Sequence, residues 1–165
     1  MKDSNIKILF VCLGNICRSP MAETVMNKLI AERKLANKIS TDSSGIISYH
    51  AGEKADSRMR MHAGRRGYKI THISRPTTIS DFSWFDIIVA MDDSVYDSLK
   101  SMAPSIEEEN KVVRMTDYCK RMMADHVPDP YYGGAEGFEN VIDILEDSCE
   151  GLLEYILKYC CPVKL

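Results

Sequence analysis

The sequence predicts an α/β fold: a four-stranded parallel sheet flanked by helices on both faces. Three observations predict it. Short continuous apolar runs, Ile6 to Cys12 and Ile87 to Met91 among them, have the pattern of strands covered on both faces. Stretches with apolar residues at helical spacing alternate with these runs, and that alternation implies parallel strands joined by helices. The chain of 165 residues shows no repeat, low-complexity tract or interdomain linker, which suits a single domain over residues 1–165.

The elements follow in order. Ile6 to Cys12 is the first strand. Ser19-Pro20 opens a helix, with Ser at the cap and Pro at the first helical position. Glu23 falls in its first turn, and Met21, Val25, Leu29 and Ile30 recur at helical spacing to about Lys34. Ile39 to Ser43 reads as a second short strand, followed by the polar loop "SSGIISYHAGEKAD". A helix from about Ser57 to Arg66 stops at Gly67, a C-cap residue. The third strand starts at Ile87, and Asp92-Asp93-Ser94 then caps a helix to about Met102, with Pro104 beyond it. "EEEN" at Glu107 reads as a solvated turn, and Val112 to Met115 as the fourth strand. A loop from about Thr116 to Gly137 contains "HVPDPYYGG". An amphipathic helix from about Phe138 to Tyr159 ends the fold, with Val141, Ile144, Leu145, Leu152, Leu153 and Ile156 on its apolar positions.

Composition excludes several classes of function. Net charge is −3, so no global basic field exists to hold nucleic acid or an anionic membrane. The apolar runs are far too short to span a bilayer. The first residues, "MKDSNIK", do not read as a signal peptide. Six cysteines in a chain with a sizeable core and no signal suit reduced thiols and a cytoplasmic location. Cys160-Cys161 has no further Cys or His at ligand spacing and reads as a helix end rather than a metal site. His50, His62 and His126 belong to no evident constellation, and Met59, Met61, Met122 and Met123 read as packing or surface residues.

The chemistry is concentrated where the first strand ends. Residues Cys12 to Ser19 read C-L-G-N-I-C-R-S, a C-x5-R-S pattern. The strand must turn into a helix within a few residues. Gly14 is free to take positive backbone angles, and Asn15 tolerates them better than most residues. Such a loop turns successive N–H groups inward as an anion-binding nest, and the positive end of the helix adds to it. Arg18 supplies a planar fork for two phosphate oxygens. Cys12 stands where negative charge is favoured, at the carboxyl end of a parallel strand, where such sheets bind ligands. One loop would then bind an oxyanion and present a thiolate to attack phosphorus, with Arg18 and the N–H groups stabilising the transition state.

"VCLGNICRSPMAE" closely resembles the signature of the low-molecular-weight protein tyrosine phosphatases, and "DPYY", Asp129 to Tyr132, resembles their second signature far downstream. "TDSSG", "THISR" at Thr71 to Arg75 and "FDIIVAMDDS" extend the resemblance over nearly the whole chain. It implies a four-stranded parallel sheet, no metal and no cofactor. It makes Cys12 the nucleophile, Arg18 the phosphate clamp and Asp129 the acid that protonates the leaving phenolate and then activates water. It assigns the N–H groups of Leu13, Gly14, Asn15, Ile16 and Cys17 to the phosphate, and Ser19 to the Cys12 sulfur. It has Ser43 and His72 hold Asn15 in a strained conformation. Tyr49 and Tyr131 match two aromatic wall positions, and Tyr132 the second of two tyrosines open to phosphorylation. Cys17 becomes a redox partner that captures oxidised Cys12. Asp92, at the same sheet edge as Cys12, reads equally as a supporting residue and as a helix cap.

The expected partners are phosphotyrosine proteins or small aryl phosphates, with inorganic phosphate as product and inhibitor, no nucleic acid and no membrane. The expected assembly is a monomer or weak dimer. Three alternatives share features with this reading. Thiol-dependent arsenate reductases use a C-x5-R loop but need two further redox cysteines downstream, and none stands between Cys17 and Cys119. Protein-arginine phosphatases on this fold tend to carry a small polar residue where Ile16 stands. A phosphotyrosine-binding module would lack the nucleophile or the acid, and both are present.

Overall fold

The computed structural model describes residues 5–131 and 133–160; Tyr132 and Cys161 lie outside them. Strand β1 (Ile6–Cys12) runs into helix α1 (Arg18–Glu32), β2 (Ile39–Gly45) and α2 (Ser57–Arg65). A short α3 (Asp81–Trp84) precedes β3 (Ile87–Ala90). Then come α4 (Asp93–Met102), a one-turn α5 (Ile106–Glu109), β4 (Val112–Arg114), a 3-10 turn (Met115–Tyr118) and the long α6 (Ala135–Tyr155). A π turn, Ile156–Cys160, continues α6.

The four strands are all parallel, in the order β2-β1-β3-β4. Successive residues of β1 point to opposite faces, and both faces are covered. Ile8, Phe10 and Cys12 pack with Met21, Val25 and Met26 of α1, Met59 and Ala63 of α2, and Val141, Leu145 and Leu152 of α6. Leu9 and Val11 pack on the other face with Phe82 and Phe85, and with Val95 and Leu99 of α4. The chain leaves β1 for β2 on one side and later returns to β3 on the other. Such a reversal opens a crevice beyond the carboxyl end of the central strand. Cys12 is paired with Gly45 at that end.

Several boundaries differ from the sequence expectation, each for a physical reason. Helix α1 starts at Arg18, with Cys17 in the cap position and no side-chain cap. Ser19 is therefore inside the helix, and its hydroxyl is used elsewhere. Positive φ falls on Asn15 (58°) and not on Gly14. A Cβ at Gly14 would lie 3.2 Å from His50 Cδ2, so its small size answers a close approach instead. Strand β2 continues to Gly45, where a Cβ would lie 2.9 Å from the Leu13 carbonyl oxygen. The expected turn at Glu107 is a helical turn capped by the Ser105 hydroxyl. Helix α6 begins three residues early, at Ala135, and its regular part ends at Tyr155. No helix among the described residues is long and apolar enough to cross a membrane.

Candidate active site

Asn15 is the keystone of the loop between β1 and α1. It is 1% exposed and left-handed, a conformation that costs a non-glycine residue about 1–2 kcal/mol. Its side chain is saturated. Nδ2 donates to Ser19 Oγ (2.8 Å) and Ser43 Oγ (3.0 Å). Oδ1 accepts from the Arg75 backbone N–H (3.0 Å) and lies 2.8 Å from His72 Nε2. A backbone N–H only donates, so this atom is the carbonyl oxygen, and His72 Nε2 must carry the hydrogen. Four bonds, each worth about 0.5–1.5 kcal/mol, outweigh the strain.

A second layer supports the first. Ser43 Oγ donates to Glu23 Oε1 (2.7 Å). Burial pushes the Glu23 carboxyl up to about 7; the Ser43 bond works against that shift and the Asp42 charge adds to it. Burial also holds His72 below the usual histidine range, against the pull of Asp42. Arg75 bridges Asp42 and Asp81 and so pins the segment that carries His72.

The loop turns a sulfur and several donors toward one cavity. Asn15 N–H lies 3.3 Å from Cys12 Sγ, and Ser19 Oγ lies 3.0 Å from it. The Ser19 hydroxyl has one hydrogen for two acceptors, the sulfur and the Ser44 carbonyl (3.3 Å). A thiolate is the stronger acceptor. Among the described residues, the N–H groups of Leu13, Gly14, Ile16 and Cys17 have no protein acceptor. Those donors and the uncapped start of α1 form the anion nest.

Arg18 is buried and anchored. Its Nη1 donates to Asp92 Oδ2 (2.6 Å) and the Val127 carbonyl (3.0 Å), while Nη2 stands 3.7 Å from Asp129 Oδ2. Burial works against its charge, but Cys12, Asp92 and Asp129 together raise its pKa. Asp92 combines both readings made of it. Oδ1 caps α4 by accepting from Val95 N–H (2.8 Å), and Oδ2 holds Arg18. Burial opposes ionisation of this carboxyl, yet the Arg18 and Val95 bonds keep it below the usual carboxylate range.

The loop that carries Asp129 reaches the same place. Val127 N–H donates to the Met91 carbonyl at the end of β3 (2.8 Å), which brings Asp129 over the crevice. Asp129 Oδ1 accepts from Tyr131 N–H (3.0 Å), and its side chain is 37% exposed. The cavity, about 380 Å³, is lined by Cys12, Arg18, Asp129, Tyr49 and Tyr131. Leu13, Gly14, Ile16 and Cys17 line it as well. Tyr49 is 85% exposed, a rim residue rather than a packed wall. Cys17 is buried; burial first, then the charges of Asp56, Cys12 and Asp129, hold its thiol far above the usual range. Cys12 and Cys17 are both free thiols.

Two lining residues were not placed in the site by the sequence reading, which passed over Ile47 and read His50 as belonging to no constellation. Ile47 gave no signal. His50 stands at a tilt to Tyr131, ring centroids 6.1 Å apart, and bonds to Glu53 (2.5 Å). Arg58 was also missed. It donates to the Tyr131 carbonyl (2.8 Å), pairs with Asp56, and stacks its guanidinium over the Tyr131 and Phe138 rings at 5.5 and 4.9 Å. Asp56 N–H in turn donates to the Ile16 carbonyl (2.8 Å). The other two expected loners are placed away from the cavity: His62 bonds Glu139 and stacks on Phe138, and His126 bonds Asp125.

Comparison with known proteins gives a consistent picture. A family model described as low molecular weight phosphotyrosine protein phosphatase matches residues 7–160. The low molecular weight protein-tyrosine-phosphatase YfkJ of Bacillus subtilis is 40% identical over 93% of this chain and 97% of its own length. A crystal structure of an Entamoeba histolytica protein tyrosine phosphatase with Hepes in the active site is 50% identical, with TM-score 0.91, covering 93% of this chain and 98% of that one. A Drosophila arginine phosphatase structure is 33% identical, with TM-score 0.85 over 91% of this chain and 97% of that one.

Proposed function

The chain belongs to the low molecular weight phosphotyrosine protein phosphatase family, and we propose that Cys12, Arg18 and Asp129 carry its reaction on phosphotyrosine and aryl phosphate monoesters. The observation that supports this most is convergence: the Cys12 sulfur, the Arg18 fork and the Asp129 carboxyl line one cavity. The phosphoryl group sits in the nest, its oxygens on the loop N–H groups and Arg18. Cys12 Sγ attacks phosphorus as a thiolate, and the bond to the phenolic oxygen breaks as Asp129 gives that oxygen its proton. Asp129, now a carboxylate, takes a proton from water as that water attacks the cysteinyl phosphate. The sulfur leaves as a thiolate, stabilised by the Ser19 hydroxyl 3.0 Å away, and inorganic phosphate is released. Arg18, held by Asp92, stays in place through both steps.

The apolar Ile16 and the Tyr131 ring, which line the same cavity as Cys12, favour a flat aromatic leaving group over a guanidinium. A ring stacked on Tyr131 gains about 0.5–1.5 kcal/mol beyond burial. Cys17 is the proposed redox guard. Peroxide converts the Cys12 thiolate to a sulfenic acid, and the Cys17 thiol displaces water from it to form a disulfide. Two equivalents of an added thiol then restore both cysteines, the first forming a mixed disulfide and the second releasing it as the disulfide of the added thiol. A reduced, cytoplasmic setting suits such a nucleophile.

The test compares wild type, Cys12→Ser, Arg18→Ala and Asp129→Ala on a phosphotyrosine peptide and an aryl phosphate. We expect no burst and no turnover in Cys12→Ser; full activity there sinks the mechanism. After peroxide and thiol rescue, Cys17→Ser should recover less activity than wild type, and equal recovery removes the guard role.

A further inference from the structure

The geometry points to a divalent-cation site of the zinc class at Glu23, Asp42 and His72, behind the phosphate loop, whose occupant would hold His72 against Asn15. One ligand atom from each residue lies within 4.8 Å of the others. His72 Nδ1 stands 3.3 Å from Glu23 Oε1 and 3.5 Å from Asp42 Oδ1. Those separations are long for hydrogen bonds. Two zinc–ligand bonds of about 2.0–2.1 Å meeting at a tetrahedral angle set their donor atoms roughly 3.3–3.4 Å apart, the spacing seen here.

The ring is already oriented as a ligand. Its Nε2 hydrogen is committed to Asn15 Oδ1, so in the neutral ring the Nδ1 lone pair faces the two carboxylates. Metal-bound histidines as a rule donate their other ring N–H to an oxygen in this way. The carboxylates are held too. Ser43 Oγ donates to Glu23 Oε1 (2.7 Å), and Ser43 N–H donates to Asp42 Oδ1 (2.8 Å). Arg75 grips Asp42 through the other oxygen, Oδ2, at 3.0–3.1 Å. Arg75 opposes a cation, and Glu23 and Asp42 outweigh it when both are ionised, which binding of the ion itself favours. Glu23 and His72 also border a cavity of about 370 Å³, a route for the ion and room for water at a fourth position. Lys28 and Lys69 border it as well; the Lys28 ammonium is turned over the Tyr68 ring, 4.7 Å from its centroid.

The consequence reaches the catalytic loop. An ion on Nδ1 excludes the tautomer that carries its hydrogen there and would not donate from Nε2, so it holds the ring in a state that donates to Asn15. It would stiffen the phosphate loop without touching substrate. This link rests on the phosphatase reading; binding itself does not.

The experiment uses the full chain with Cys12→Ser, which removes the site thiol as a competing ligand. Zn²⁺ is titrated in while long-range ¹H–¹⁵N spectra of the histidine rings are recorded. One equivalent should move His72 Nδ1 and leave Nε2 protonated. Asp42→Asn and Glu23→Gln should each weaken that response by about tenfold or more. Metal uptake by the remaining thiols with His72 Nδ1 unmoved overturns the site, as does an undiminished response in both variants. Zn²⁺ should also slow hydrogen exchange of the Asn15 side-chain amide; a bound ion with unchanged exchange overturns the coupling. Activity of the metal-free wild type tests the Cys12 assignment separately, so either idea can fail alone.

Discussion

Around Asn15 every polar atom of the side chain is engaged and the residue is buried, whereas the Asp129 carboxyl takes one backbone N–H and stays over a third exposed. The two loops meet at one cavity, yet one is clamped and the other lightly tethered. The difference suits the task we propose for each. Donors aimed at a developing negative charge help only if they need not reorganise during the reaction. A group that first gives a proton and then takes one must admit a leaving group and a water in turn. The saturated network of Asn15 suits the first task, and the open setting of Asp129 suits the second.

Asp129→Ala should break the comparison most sharply. Losing the acid should slow phenolic substrates by about 10²–10⁴-fold in kcat. Substrates with good leaving groups should lose far less, and the melting temperature should hardly move. Equal losses across leaving groups, or a large fall in stability, would show that the acid loop is scaffolding. A leaving-group series with thermal melts checks both.

Asn15→Ala should do the reverse. It removes four hydrogen bonds and keeps a residue that resists the left-handed region. We expect about 2–4 kcal/mol of lost stability and activity losses that do not depend on the leaving group. Asn15→Gly sharpens the point, since it relieves the backbone but not the network. Denaturant melts of both variants apportion the two effects. If Gly restores wild-type stability, strain and not the network was the larger quantity.

What the sequence disclosed tracks these two construction styles. Cys12 and Arg18 were legible because a thiol and a guanidinium on one strand-to-helix loop are specific to a chemical task, whereas Asp129, in a turn-like Asp-Pro pair, gained its role from the family's second signature. Ser43 and His72 were reached only through the family resemblance, because nothing local links them to Asn15. Their meeting depends on β2 pairing with β1 and on the His72 segment folding back beside it. Ser19 was misplaced as a helix cap. The Ser-Pro pattern is a true capping signal, but here the hydroxyl serves a sulfur and an amide. The Val127 carbonyl that holds Arg18 left no trace in the sequence, since any residue has one. Asp92 was ambiguous between cap and support, and its two oxygens do one each. His50 and Arg58 gave no motif because the residue that ties them to the cavity, Tyr131, lies on another loop far along the chain.

Arg58→Ala should have a smaller effect than either change above. It cuts one tether of the loop that carries Asp129, the bond to the Tyr131 carbonyl, without touching the carboxyl. We expect about a tenfold fall in kcat on phenolic substrates, with good leaving groups nearly unaffected. Arg58→Lys keeps the charge but not the planar stack on Tyr131 and Phe138, so it should restore only part of the rate. Losses that ignore the leaving group would place Arg58 with the clamped region instead.

Asp56 joins the two regions, and its titration offers the finest test. Its N–H bonds the Ile16 carbonyl of the phosphate loop, and its carboxylate holds Arg58 and caps α2 through Arg58 and Met59 N–H. Burial works against the charge, but the bonds to Arg58 and to the two N–H groups win, so the carboxyl sits below its ordinary value. A carboxyl depressed in the folded state stabilises the fold above its unfolded pKa and loses that contribution as pH falls through the folded one. Stability should therefore decline on the acid side, and the tether should loosen in the same window. Asp56→Asn keeps a good cap but no charge. It should flatten that part of the stability–pH curve and change kcat at neutral pH by less than about threefold, because Arg58 still reaches Tyr131. Melts across the acid range decide it: an unchanged acid limb in Asp56→Asn would mean that the two loops are joined by packing alone and not by this charge.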